Sequence, residues 1–382
     1  MKRLTMFLAS ALLFVQCQDA DLSTVEPLKF KNVKSTKAMS KVVEQMHVVE
    51  LEFPESELQL GQVNKVIKTR DGGFAISFNH ANRVVYLFAA DGSFVKDITA
   101  EGYLDGEKHA VADLATDYAT NELFVMDALN KVLVYDATTG AFLRRIKPQW
   151  EDRTYRLDGF APNGVDGGFS VVSSNTATRR DSTMRTVVTA FDSQGRQTDE
   201  YVQTDDYMFD NSLVLQVADN GYVLRPVDSR NDIYEFVDGV PTELYKVDFG
   251  RLTSPAHMLY NSRGVVKFIP YFTNEYYKFV NSVTLTPHTM SFVASGPDGA
   301  SAHYVYDRLS GNGIRFAAKD GTTFPSPFVL SDNDFHYVVY DKRSRTDMEE
   351  RADVLIQYIT EKEGLLTPTG GYKLVGVKFR AL

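Results

Sequence analysis

The pattern that decides the fold first occurs at residues 72–98, which read GGFAISFNHANRVVYLFAADGSFVKDI. Three runs rich in Val, Ile, Phe and Tyr are separated by turn residues, which predicts three consecutive β-strands. The dipeptide Asp91-Gly92 lies between the second and third runs. It indicates a hairpin, because glycine tolerates the positive φ that tight turns require. The stretch therefore predicts strands that pair with their neighbours in the chain.

The same pattern recurs along the chain. Residues 121–146 read NELFVMDALNKVLVYDATTGAFLRRI, and further copies begin near residues 167, 220, 288 and 334. This spacing is close to the ~40–50 residues of a four-stranded propeller blade. A further strand precedes each copy, as at residues 63–68. We therefore predict an all-β fold, a six-bladed β-propeller.

Closure of this ring is predicted to use both ends of the chain. The sixth blade takes its third strand from residues 372–380, at the end of the sequence. Its fourth strand is predicted at residues 48–53, so that an N-terminal strand completes the last blade. Closure protects the strand edges that an open array would expose.

One inserted helix is predicted within the sixth blade, at residues 347–363. Thr346 and Glu349 have the spacing of a capping box, and Gly364 follows where a helix end is expected. Its apolar face could pack against the propeller or bind a partner. This face carries Met348, Ala352, Leu355 and Ile359.

The N-terminus has the features of a secretory signal. Lys2 and Arg3 precede an apolar run at residues 6–15, which is too short to span a membrane. Cys17, the only cysteine of the chain, follows directly and resembles the lipidated cysteine of a bacterial lipobox. The alternative is an ordinary signal with a chance cysteine. The predicted organisation is a signal at 1–17, a flexible tether at 18–45 and the propeller at 46–382.

The composition excludes some classes of protein. Of 382 residues, 43% are hydrophobic and 24% are charged, which excludes disorder over most of the chain. The net charge of −9 argues against a general nucleic-acid-binding protein, which needs a basic surface.

Together, the signal, the acidic tether and the six repeats resemble the six-bladed β-propeller lipoproteins of Bacteroidetes, which are similar to NHL-repeat propellers. The resemblance covers residues 46–381. Its most specific stretch is NDIYEF at 231–236 followed by LYKVDFG at 244–250. It implies an outer-membrane lipoprotein that faces the periplasm or the cell surface, and it implies no catalytic residues.

A candidate site is predicted where the innermost strands begin, at the mouth of the central channel. Polar residues lie about ten positions before each repeat, with Ser326 in the last. Oxygen ligands on one axis could bind Ca²⁺, with Asp113 and Asp158 as the charged metal ligands, or could hydrogen-bond another ligand. The alternative is that these residues cap turns. The predicted binding residues of this ring are Asn64, Asp113, Asp158, Asn211 and Asn281.

Loops on the same face supply a second set of candidate binding residues. Arginine recurs in them although the protein is acidic, and a guanidinium binds carboxylate or phosphate groups through two hydrogen bonds. Solvated loops with local ion pairs are the alternative. The candidates are His80, Arg83, Asn130, Arg185 and Arg230.

Two functions from different classes follow. We favour a cell-envelope, non-catalytic binding module, a monomer that presents one propeller face to a protein partner or a glycan and meets the membrane through its lipid anchor alone. The alternative is a metal-assisted hydrolase or lyase with Ca²⁺ at the channel mouth. The sequence lacks a phosphate-binding loop, a G-x-S-x-G elbow and an H-E-x-x-H motif.

Overall fold

The repeats fold into six sheets, each with four antiparallel strands, arranged as the blades of a ring. These sheets belong to the part of the chain that the computed structural model describes. The described residues are 27–29, 33–35, 38–53, 62–79, 84–98, 101–104, 107, 111–127, 131–149, 156–164, 167–174, 185–204, 213–217, 221–225, 232–253, 276–318, 325–341, 353–363 and 371–382.

Three strands precede the first repeat, and each of the first three blades then takes four consecutive strands. The preceding strands are β1 (Pro27–Lys29), β2 (Val33–Ser35) and β3 (Val43–Glu50). Blade 1 contains β4 (Gln62–Lys68), β5 (Phe74–Asn79), β6 (Val84–Phe88) and β7 (Phe94–Asp97). Blade 2 contains β8 (Val111–Asp117), β9 (Glu122–Asp127), β10 (Lys131–Asp136) and β11 (Phe142–Ile146). Blade 3 contains β12 (Arg156–Pro162), β13 (Phe169–Ser174), β14 (Arg185–Phe191) and β15 (Gln197–Thr204).

The remaining blades follow the same order until the chain ends. Blade 4 contains β16 (Leu213–Val217), β17 (Gly221–Arg225), β18 (Asp232–Val237) and β19 (Val240–Asp248). Blade 5 contains β20 (Lys278–Leu285), β21 (Thr289–Ser295), β22 (Ser301–Asp307) and β23 (Gly313–Ala317). Blade 6 contains β24 (Phe328–Ser331), β25 (His336–Asp341), β26 (Tyr372–Phe379) and, as its outer strand, β3.

The predicted closure by an N-terminal strand is confirmed. β3 pairs antiparallel with β26, and Val48 lies opposite Val375. The strand covers residues 43–50 and thus begins earlier than the predicted 48–53. Gly92, in the predicted hairpin turn of blade 1, has φ 90°, and a Cβ there would lie 2.0 Å from the Glu50 carbonyl oxygen. Glycine is therefore required where the closing strand meets the first blade.

The apolar residues of the strands pack between neighbouring blades. One buried cluster joins Phe124 of blade 2 to Phe169 of blade 3 and Tyr222 of blade 4. Another joins Val66 of blade 1 to Leu374 of blade 6, across the point of closure. Each blade thus buries both of its faces, which explains why the strands are apolar in long runs.

The N-terminal segment that was predicted as a tether contributes two strands. β1 pairs in parallel with β19 on the rim of blade 4, and β2 pairs in parallel with β23 on the rim of blade 5. Leu28 of β1 is buried in the cluster between these blades. In this described part, the segment therefore adds a fifth strand to two blades instead of linking the propeller loosely to another body.

Among the described residues, one α-helix, α1 (Val354–Glu363), lies in the connection from β25 to β26, inside the predicted span 347–363 but beginning seven residues later. Leu355 and Ile359, on the predicted apolar face, are buried against blades 5 and 6. Asp353 accepts hydrogen bonds from the backbone N–H groups of Leu355 and Ile356 and thereby caps the helix. The predicted capping residues Thr346 and Glu349 lie outside the described residues. In the described part of the chain, no helix has the length and apolar character needed to cross a bilayer.

Candidate functional site

The innermost strands of the blades surround the central channel, and their first residues form its mouth. β-Bulges interrupt five of these strands near their starts: β4, β8, β12, β20 and β24. A bulge adds an unpaired residue and redirects the side chains around it. The repeated bulges therefore distinguish the mouth from the rest of the channel.

The bulges coincide with part of the predicted ring. Asn64 and Asp158 are the inserted residues in β4 and β12, and Asn281 lies between two register shifts in β20. Ser282 has φ 52°, a left-handed conformation that is costly for a residue with a Cβ. Such strained positions are common at binding sites. In β8, however, the inserted residue is Ala112, and Asp113 is its neighbour.

A buried ion pair joins blades 1 and 2 just inside the mouth. Lys65 Nζ lies 2.5 Å from Asp113 Oδ1, and both side chains are less than a tenth exposed. Burial lowers the pKa of Lys65 and raises the pKa of Asp113, because both charges have lost water, and their mutual attraction opposes both shifts. Asp113 Oδ1 also accepts a hydrogen bond from the Leu114 backbone N–H at 2.9 Å. Each side chain is therefore the main partner that offsets the other's loss of water.

Two polar groups near the mouth have hydrogen-bonding capacity to spare. Asn281 Oδ1 is buried and has no hydrogen-bond partner among the described residues. Asn64 is exposed and donates one long hydrogen bond, of 3.4 Å, to Ser77 Oγ. Buried amides usually have partners, so an unpartnered one is a place for water or a ligand group.

The other end of the channel is closed by hydrogen bonds that cross it. The Lys68 backbone N–H donates to Gln216 Oε1 at 2.6 Å, and Gln216 Nε2 donates to the Lys68 carbonyl oxygen at 3.0 Å. Thr116 Oγ1 donates to the same carbonyl oxygen at 3.0 Å. The Lys68 backbone of blade 1 thus meets side chains from blades 2 and 4 at this end of the channel.

Lys68 also connects blade 1 to blade 6. Its Nζ donates to Asp332 Oδ2 at 2.7 Å, and Tyr337 OH donates to the same oxygen at 2.8 Å. Although partial burial acts in the opposite direction, the pKa of Asp332 is lowered by the hydrogen bonds that it accepts from Lys68 and its other neighbours. The ion pair lies at the point of closure and supports it.

Two buried histidines lie at the interface of blades 5 and 6. His336 places its Nδ1 2.8 Å from Thr284 Oγ1 and its Nε2 2.8 Å from Thr289 Oγ1. His303 donates from Nε2 to the Ser326 carbonyl oxygen at 2.6 Å and stacks on Phe316. Burial lowers the pKa of His336 to about 3 and that of His303 to about 4. Both are therefore neutral structural residues.

The structure describes only some of the predicted site residues. Asn64, Asp113 and Asn281 lie at the channel mouth, whereas only the backbone of Asp158 and Arg185 is described. The remaining predicted residues lie outside the described part of the chain: Cys17, His80, Arg83, Asn130, Asn211 and Arg230.

Sequence reasoning missed Lys65, Lys68 and Gln216. The sequence feature that could have identified them is a polar residue inside an apolar inner strand, as in NKVIK at 64–68 and LVLQV at 213–217. A side chain of this kind must find a partner on another blade, because leaving it unpaired in the interior is costly.

The Ca²⁺ hypothesis stays a prediction. In the described part of the chain, no three His, Cys, Asp or Glu side chains come together as metal ligands would. The Lys65 ammonium already supplies a positive charge to Asp113. A cation at this carboxylate would have to displace it.

Two solved structures similar to this chain come from Bacteroides species. An exported protein of Bacteroides fragilis has 17% identity and a TM-score of 0.69 over 93% of this chain and 100% of its own. A member of the DUF4221 family from Bacteroides vulgatus has 13% identity and a TM-score of 0.51 over 89% of this chain and 97% of its own. At these identities the likeness concerns the fold alone. Among curated proteins, no match to the sequence was found.

A profile of one protein family matches residues 18–255, more than half of the sequence. The matched region extends from the N-terminal edge strands through blade 4, and the family is described as a six-bladed β-propeller. The ring of six sheets agrees with that description. The chain therefore belongs to DUF5128, a family of six-bladed β-propellers, and has the fold of that family.

Proposed function

We propose that this protein is a lipid-anchored binding module of the cell envelope, which presents the channel mouth and its surrounding loops to a protein partner or a glycan. The contrast between the two ends of the ring carries the proposal. One end is closed by hydrogen bonds among Lys68, Gln216 and Thr116. The other end has bulged strands and an unpartnered amide oxygen at Asn281.

The chain connections reinforce this contrast. Connections at the closed end are short, as at residues 69–73 and 118–121. The longest connections, residues 249–277 and 342–371, join strands at the end with the channel mouth. Long connections on a rigid scaffold are where binding residues usually lie.

The envelope location has two supports. The family profile begins at Gln18, directly after Cys17, as expected if residues 1–16 are removed as a signal and Cys17 becomes the first residue of the mature chain. The structurally similar protein from Bacteroides fragilis is described as exported. Lipidation of Cys17 and attachment to the outer membrane are part of the proposal.

Site-specific photo-crosslinking tests the protein-partner form of this function. A photoreactive amino acid replaces Asn64 at the mouth or Leu309 at the closed end, in the lipidated chain in Bacteroides cells. Both positions are exposed, and Leu309 is 79% exposed. We expect one discrete crosslinked product from position 64 and none from position 309. Equal labelling from both positions would count against a specific face.

A glycan array probed with residues 18–382 tests whether the partner is a glycan. Binding should fall about tenfold or more in the double variant Asn64→Ala, Asn281→Ala, since each lost hydrogen bond weakens binding by about 1 kcal/mol. The variant Leu309→Ala is the matched control and should bind as the wild type does. If neither a crosslinked partner nor a bound glycan is found, the proposed function is wrong.

A further inference from the structure

The position of β1 restricts how the anchored protein can lie on a membrane. β1 pairs with β19, the outer strand of blade 4, and Leu28 is only 7% exposed. The chain therefore joins the propeller at its rim, and not at either end of the channel. The following inference rests on the proposed lipid anchor at Cys17.

Little chain separates the anchor from this rim. Ten Cα–Cα steps connect Cys17 to Pro27, and a fully extended chain covers at most about 36 Å in that number of steps. A propeller with a flexible tether up to residue 45 would have far greater freedom. The described pairing of β1 shortens the free chain and holds blade 4 close to the anchor.

The direction of β1 selects one part of the rim. Pro27 lies opposite Lys246, and the two strands run in parallel, so the N-terminal end of β1 points toward the start of β19 at Val240. From Lys246 back to Val240, a strand extends about 20 Å. The free chain is therefore long enough to pass Val240 and to place the lipid just beyond it.

Exposed apolar side chains lie at this place. Val237 and Val240 flank the turn between β18 and β19 and are 52% and 40% exposed. The turn is held firmly, because Ser170 Oγ of blade 3 donates to the Gly239 carbonyl oxygen at 2.7 Å. Two valines on a rigid turn near a lipid anchor suit contact with the headgroup region of a bilayer.

We propose that the turn at residues 237–240 is the membrane-contact surface of the lipidated protein. This turn joins the third and fourth strands of blade 4, as the turn at Leu309 does in blade 5, and therefore lies on the closed-end side of the rim. The closed-end edge of blade 4 then rests on the membrane, and the channel mouth faces away from the lipid, where it is accessible to partners.

Environment-sensitive fluorophores on single cysteines test this orientation. Cys17 is the only native cysteine and its thiol is consumed by lipidation, so Val240→Cys and Val95→Cys each provide one free thiol. Val95 is a matched control, since it is 41% exposed and lies on the outer strand of blade 1, opposite blade 4 in the ring. The lipidated full-length proteins are placed in phosphatidylcholine–phosphatidylethanolamine vesicles that contain headgroup-spin-labelled lipid.

At position 240 we expect quenching and a blue shift of the fluorescence. At position 95 we expect the same fluorescence in vesicles as in the detergent-solubilised protein. Equal quenching at both positions, or stronger quenching at position 95, overturns the proposed orientation. A blue shift at position 240 that persists without vesicles indicates contact with a second copy of the chain and also overturns it.

Two further measurements separate the possible failures. Flotation of the vesicles reports the anchor itself, so protein that fails to float refutes the anchor and, with it, the orientation. The variant Leu28→Asp should release β1, lengthen the free chain and remove the difference between positions 240 and 95 while the ring stays folded by circular dichroism. A difference that persists in this folded variant overturns the role of β1.

Discussion

Lys65 and Asp113 form a buried ion pair across the interface of blades 1 and 2. Two charges buried in contact gain little over an apolar pair of the same size, because desolvation offsets most of their attraction. Removal of one partner is different, since the remaining charge stays buried without compensation. The ion pair therefore makes each residue dependent on the other.

We predict that Asp113→Ala lowers the free energy of unfolding by about 3–5 kcal/mol, because Lys65 loses its partner. The double variant Lys65→Met, Asp113→Leu should lie within about 1 kcal/mol of the wild type, since it restores an apolar contact. Urea denaturation of the three proteins measures both effects. Equal losses in the single and double variants would show that the two side chains are not coupled.

His303 and His336 make the free energy of unfolding depend on pH. Their folded pKa values, about 4 and about 3, lie below the ordinary value of 6.5. The unfolded chain therefore binds protons before the folded chain does, as the pH falls through 6.5. The stability that comes from keeping both rings neutral is complete above pH 6.5 and decreases as the pH falls toward the folded values.

Between pH 7.5 and 5.5 we predict a loss of about 2–3 kcal/mol in the free energy of unfolding, from about 1.4 kcal/mol per histidine per pH unit below 6.5. His303→Phe keeps the stacked ring and should reduce this loss by about half. Urea midpoints at the two pH values provide the measurement. A wild-type stability that is flat over this range would contradict the prediction.

Among the elements, the three N-terminal strands have unequal roles. β3 is the fourth strand of blade 6 and pairs along its whole length with β26. β1 and β2 each add three residues to blades that already have four strands. Loss of β3 therefore opens the ring, whereas loss of β1 and β2 only uncovers two strand edges.

Truncation separates these roles. A chain that begins at residue 37 should remain folded, with a free energy of unfolding about 1.5–3 kcal/mol lower, because the buried Leu28 is lost. A chain that begins at residue 54 should show no cooperative thermal transition, since β26 lacks its partner. A chain that begins at residue 27 is the control. Cooperative unfolding of the shortest chain would refute the role of β3 in closure.

For the whole molecule, the channel is asymmetric. Gln216 of blade 4 reaches across the axis to Lys68 of blade 1, so one end is filled by the protein's own groups. At the mouth, the Lys65 ammonium occupies the position beside Asp113 where a cation would have to bind. This arrangement disfavours binding of Ca²⁺ by the polar residues at the channel mouth.

We accordingly predict the same thermal midpoint for residues 18–382 in EDTA and in millimolar Ca²⁺. A cation at about 100 times its Kd would add about 2.7 kcal/mol to the folded state, which is readily visible as a shift. The variant Asp113→Asn serves as a control for binding at this carboxylate. A clear Ca²⁺ shift that this variant abolishes would reverse the prediction and favour the metal-assisted enzyme.

Some parts of the site were readable in the sequence and others were not. Asn64 and Asp158 stand out as polar residues before a repeat, and the structure places both at bulges. Asp113 has the same sequence signal, yet its partner Lys65 lies in another blade, which no local pattern shows. The pairing depends on two strands that become neighbours only when the ring forms.

By itself, the sequence determined the strands, the number of blades and the helix in the last blade, because apolar runs, turn glycines and helical spacing of apolar residues are local properties of the chain. It also placed an N-terminal strand in the closing blade. Only the tertiary structure decided where the short segments PLK at 27–29 and VKS at 33–35 lie, and that Gln216 and Lys68 meet across the channel. Three-residue strands have no periodicity to detect, and contacts across an axis arise only once the ring has closed.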